Sequence, residues 1–184
     1  MRILVLPLIL VIAFLSVGCS TAPETRQDRK DLLSESMNTL RKFKQNSPGY
    51  YKVYSESSVG AAVFPSIGKG GYFLGGAYGQ GVVLENALLV GYCKIEQATI
   101  GLQLGGQAYS QIIFFQNKES LQKFKRGEIT GAAQASAVAI KADASAQADY
   151  KDGVAVFSMD SAGLMYEASI GGQKFSYLPK DAVD

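Results

Sequence analysis

The sequence predicts an α+β domain in which N-terminal helices pack on a highly curved, glycine-rich antiparallel sheet, bent enough to close into a barrel. Three observations carry this expectation. Apolar residues recur at three- and four-residue steps between Arg26 and Asn46, the period of an amphipathic helix. Twelve of the 20 glycines fall between Gly60 and Gly106, a density hostile to helix and suited to bent strands and bulges. Beyond residue 59, short apolar runs alternate with Gly, Asp and Ser turn signals.

The N-terminus sets the compartment. Arg2 is followed by an apolar run over residues 3–15, too short for a spanning helix of ~20 residues and the right length for the core of an export signal. Leu15-Ser16-Val17-Gly18-Cys19 then resembles the lipobox of bacterial lipoproteins, with Ser16 where Leu is favoured. The expectation is a leader over 1–18, lipidation at Cys19, a short tether over 19–27 and one domain over 28–184. Each acyl methylene buried in a bilayer contributes ~0.8 kcal/mol, so two or three chains hold a protein firmly. Ser20 rather than Asp follows the cysteine, which resembles the signal for outer-membrane sorting on the periplasmic side.

Composition narrows the function classes. Losing Arg2 leaves 17 Lys and Arg against 16 Asp and Glu, without the basic excess that general nucleic-acid binding needs. Histidine is absent, which excludes Ser-His-Asp and Cys-His catalysis and the common zinc sites. No cofactor motif occurs, and no carboxylate pair is marked for acid–base work, so the chain is expected to be non-enzymatic and cofactor-free. With Cys19 lipidated, Cys93 has no partner for a disulfide.

Along the chain, Leu33, Met37, Leu40 and Phe43 or Lys44 mark the apolar stripe of the first helix. Asp28, Asp31 and Glu35 come early in it and Arg41, Lys42 and Lys44 late, an order that complements the helix dipole. A second short helix over 48–55 carries Tyr50, Tyr51 and Tyr54. Strands are expected over 59–64, 71–84, 88–94, 99–105 and 109–116, with a loop over 65–70. Asn117 caps a helix over 118–126. Alternating alanines make 132–148 strand-like, and 154–159, 164–169 and 174–177 complete the sheet. Turns fall at Lys151-Asp152-Gly153, at 160–163 and at Gly171-Gly172. Residues 74–80 and 104–111 echo each other faintly.

Several ordered motifs resemble one family. They are Val59-Gly60-Ala61-Ala62-Val63-Phe64-Pro65, Lys69-Gly70-Gly71, the run from Gly75 to Val82, Ser110-Gln111-Ile112-Ile113-Phe114-Phe115, Ala135-Ser136-Ala137-Val138-Ala139 and the stretch from Ser158 to Gly163. Together they resemble the SYLF domain, the Ysc84-related lipid-binding family, over about residues 31–178. The resemblance implies membrane-lipid binding of the phospholipid or phosphoinositide-headgroup type, partly through an amphipathic N-terminal helix and basic residues. It also implies an exported lipoprotein in bacteria. Actin, which some fungal members bind, is not a partner an envelope protein would meet. An envelope protein partner, with the chain as a structural or interaction module, is the alternative.

The candidate lipid contacts are Arg41, Lys42 and Lys44 at the helix end, and Ser66, Lys69, Gly70 and Gly71 in the segment from Ser66 to Gly71, where backbone N–H groups would cradle phosphate with Lys69 as a point charge. Tyr50, Tyr51, Tyr54 and Tyr72 could place polar tips at headgroup level. Each feature also has an ordinary reading, as a solvated helix end, a hairpin turn and core aromatics.

Overall fold

The computed structural model describes residues 20–70, 74–100, 107–129, 138–139, 150–160, 163–167 and 172–183. Cys19, Gly71 and Tyr72 lie outside them, as does the alanine tract apart from 138–139.

Helix α1 spans Arg26–Asn46, as its periodicity predicts. The Thr25 hydroxyl oxygen accepts the Asp28 amide at 3.0 Å and satisfies one of the orphan donors of the first turn. Helix α2, Pro48–Ser57, starts on a proline that has no N–H to lose. The buried stripe of α1 differs from the expected one. Leu32, Ser36, Thr39 and Phe43 are buried, Leu33 and Leu40 are half-buried, and Met37 is 43% exposed. The helix is rotated by about one residue, roughly 100°. Small Ser36 and Thr39 let its backbone lie close to the sheet, and Phe43 reaches Phe157 at a ring separation of 4.8 Å.

Among the described residues eight strands follow: β1 Gly60–Gly70, β2 Leu74–Glu85, β3 Leu88–Ile100, β4 Gln107–Phe115, β5 Val138–Ala139, β6 Val154–Asp160, β7 Gly163–Glu167 and β8 Gln173–Pro179. Helix α3, Lys118–Lys125, separates β4 from β5, and a short 3-10 turn, Lys180–Ala182, follows β8. As predicted, Asn117 caps α3, in a reciprocal box with Ser120. The sheet is antiparallel throughout, in the order β5-β7-β6-β4-β1-β2-β3-β8. The 74–80 and 104–111 echo falls largely on β2 and β4, which flank β1.

Two expectations are corrected. Residues 65–70 are not a loop; they continue β1, paired with β2 on one side and β4 on the other. The Pro65-Ser66 turn signal marks a bulge instead, where the register shifts and a proline without an N–H does no harm. Opposite the bulge stand Gly79 and Gly81. A Cβ on Gly79 would lie 2.7 Å from the Ser66 carbonyl oxygen, and one on Gly81 would run into that of Val63. The second correction concerns the barrel. The sheet curls but stays open, with β5 and β8 at opposite ends.

The curl is strong. Four strand steps separate β4 from β8, ~19 Å in a flat sheet. Yet the buried amides of Gln111 on β4 and Gln173 on β8 bond each other at 3.2 and 3.4 Å. Phe64 on β1 and Phe175 on β8 meet at 6.0 Å. Phe124 of α3 wedges between Phe115 and Phe175, at 5.0 and 5.1 Å. These side chains fill the inner face and prop the two limbs too far apart for backbone pairing, so closure stops at side-chain contact. The outer face carries a second core, where Val63, Val82, Ile112, Phe114 and Phe157 lie under α1 and α2.

Candidate functional site

Helix geometry turns Lys42 away from Arg41 and Lys44, since each step along the chain turns ~100° and residues three apart return to within about 60°. Arg41 donates to Asn38 Oδ1 at 3.0 Å. The Lys44 ammonium lies over the Tyr51 ring, 5.6 Å from its centre. Lys42 points to another side, beside Asn46 one turn later. There the two residues border a groove of about 280 Å³, with Ser66, Tyr109, Ser110 and Met159 on its other walls. Ser66 is exposed at the β1 bulge, and the Ser110 hydroxyl donates to the Met159 carbonyl at 3.3 Å. The fold therefore joins Lys42 and Ser66, two candidates 24 positions apart, and leaves Arg41 and Lys44 outside the groove walls.

The backbone cradle expected at 66–70 does not form. Lys69 and Gly70 are strand residues: Lys69 lies opposite Ala77 on β2 and Gln107 on β4, and Gly70 opposite Gly76. An interior strand commits its N–H groups to its neighbours, which removes them as free phosphate donors. The tyrosines of α2 belong mainly to the core. Tyr54 is 1% exposed and packs on Phe157 at 4.9 Å and Tyr150 at 5.3 Å. Tyr51 packs edge-on against Phe43 at 6.0 Å, and Tyr50 stacks on Tyr54 at 6.5 Å. Asn46 and Tyr109 carry no motif, Ser110 and Met159 lie in motifs that do not mark them as lipid contacts, and helix packing and strand register bring the four to the groove.

A second feature also escapes sequence reasoning. Residues 20–25 do not hang free as a tether. The Ser20 carbonyl accepts from Gln80 Nε2 at 2.9 Å and from the Tyr78 hydroxyl at 3.3 Å. Ala22 is buried under α1, 2% exposed. Arg29 donates to the carbonyls of Pro23 and Glu24 at 3.0 and 2.9 Å. This strap borders a wider cavity, about 540 Å³, with Glu24, Asp28, Asp31 and Glu35 on its rim.

Cys93 is a free thiol buried on the inner face, and burial pushes its pKa well above the ordinary thiol value. A neutral thiol in such a place is a poor nucleophile.

Residues 96–179 match a family described as Ysc84, Las17-binding protein actin regulator. The chain is also similar to Beta cell expansion factor A of Aeromonas veronii, 26% identical over 165 residues. That alignment covers 88% of this chain and 62% of the relative, so the chain spans less than two thirds of that protein's length.

Proposed function

With residues 96–179 carrying a Ysc84-type domain, we propose that the chain binds anionic membrane lipid without catalysis, from an acyl anchor at Cys19 in the outer membrane, facing the periplasm. The observation that carries the reading is the groove that joins Lys42 to Ser66 beside Tyr109 and Ser110. The Lys42 ammonium, the Ser66 hydroxyl and the Asn46 amide suit the diester phosphate of a lipid headgroup, which offers charge and several acceptors.

Each basic residue near an anionic bilayer contributes ~1 kcal/mol, so one removal weakens binding roughly fivefold. Flotation of the domain with phosphatidylglycerol vesicles tests this. Lys42→Ala should lose about that factor at low salt, and Lys42→Ala with Ser66→Ala should lose more. Lys44→Ala, whose cation is set over Tyr51, should lose less. Equal losses for Lys42 and Lys44 would reduce the site to diffuse charge, and no flotation of wild type with any headgroup would sink lipid binding itself.

A further inference from the structure

We propose that the docked strap over residues 20–25 fixes which surface of the domain meets the bilayer: the outer sheet face at the level of Ser66, Tyr78 and Gln80. The inference rests on the anchoring reading of Cys19 above.

The argument begins with the length of chain available. A residue joined to Ser20 has its Cα one peptide step away, about 3.8 Å. Ser20 is itself held by two hydrogen bonds to β2, and the segment behind it is pinned by buried Ala22, by the Arg29 guanidinium and by the Thr25 cap. No slack remains between anchor and domain. Acyl chains on Cys19 must therefore leave the protein beside Gln80.

The strand register says what lies there. Gln80 is the direct partner of Ser66, so the anchor leaves about one strand spacing, ~4.8 Å, from the wall of the Lys42 groove. The Asn86–Leu88 turn is at the other end of β2. It begins six residues beyond Gln80, about 20 Å along the strand, and exposes Leu88 at 70%. Charge sets the tilt. The strap cavity carries exposed Glu24, Asp28, Asp31 and Glu35, which an anionic surface repels, and the neighbouring groove carries Lys42, which it attracts. The domain therefore leans its groove toward the headgroups.

The test uses the full chain, made with its own leader and purified in its acylated form. It is placed in phosphatidylglycerol and phosphatidylcholine vesicles that contain a lipid with a nitroxide on its headgroup. A fluorophore is attached through Ser66→Cys or Leu88→Cys; Cys93 is buried and stays unlabelled in the native protein. Quenching should be at least threefold stronger at 66 than at 88. The difference should persist in 0.5 M salt (on the order of a 4 Å screening length), because the strap rather than charge holds the domain. Ten Gly and Ser residues inserted between Cys19 and Ser20 should abolish it. Equal quenching at the two positions in acylated protein, or a difference that salt removes, overturns the strap assignment and leaves the anchor standing. A mature N-terminus without acyl mass on Cys19 overturns the anchoring reading, and this assignment with it.

Discussion

Cys93 ties pH to stability through a single side chain. Its folded pKa is raised by burial, so the native state holds a proton that the unfolded chain releases above its own value, ~8.5. The neutral thiol's contribution is complete below that pH and is lost as pH rises, at about 1.4 kcal/mol per unit while the native thiol stays protonated. Tyr150 and Tyr177, also raised chiefly by burial, add the same sign only from about pH 10. Urea midpoints at pH 8, 9 and 10 should therefore fall for wild type and fall less steeply for Cys93→Ala. Parallel slopes would mean that the thiol is ionisable in place. The sequence made Cys93 an unpaired thiol in a strand; its depth came from the curl. At the β2–β3 turn the reverse holds. Asn86 and Ala87 take φ of 50° and 63°, and alanine gives little hint of a left-handed turn, whereas Asp152-Gly153 was legible because glycine favours that region.

At the level of elements, α1 was legible in extent and misread in rotation. Leu33, Met37 and Leu40 form the more apolar stripe, but the sheet below has glycines and a bulge, and close approach favours small residues. The cost is a buried Ser36 hydroxyl without a hydrogen-bond partner. Removing an unsatisfied buried hydroxyl relieves about 1–3 kcal/mol of desolvation at most. Ser36→Ala should thus match or exceed wild type in thermal melting, whereas Thr39, which donates to the Glu35 carbonyl at 3.0 Å, has its own partner. A clear drop in melting temperature for Ser36→Ala would show that the hydroxyl is bonded in solution. Strand β1 failed for a related reason. Pro65, Ser66, Gly68 and Gly70 have the composition of a loop, and only partners on both sides draw them into a sheet.

At the scale of the molecule, the strand order defines the folding unit. The family match begins at residue 96, within β3, yet β1 and β2 sit between β3 and β4 in the sheet. Residues 96–184 alone would leave a two-strand gap and strip α1 and α2 from the outer core. A fragment of those residues should show no cooperative thermal transition by circular dichroism; a sigmoidal melt like that of the whole domain would contradict the sheet order. Part of the closing contact is polar. Lys125 of α3 reaches Glu85 of β2 at 2.8 Å with both side chains largely buried, and the same ammonium lies 5.6 Å from the centre of the Tyr177 ring on β8.

The sequence by itself determined what depends on near neighbours in the chain: the extents of α1 and α3 with their caps, the α+β class, the bent glycine-rich strands, and the family resemblance carried by ordered motifs. Periodicity and capping act over three to seven residues, so they can be read along the chain. Tertiary structure alone decided the rotation of α1, the open curl, the meeting of Gln111 with Gln173, the joining of Lys42 to Ser66 and the docking of Ser20 on Gln80. Those partners lie 24 to 62 residues apart, and their meeting depends on register, bulge position and the volume of rings between the limbs. None of these leaves a local pattern in the chain.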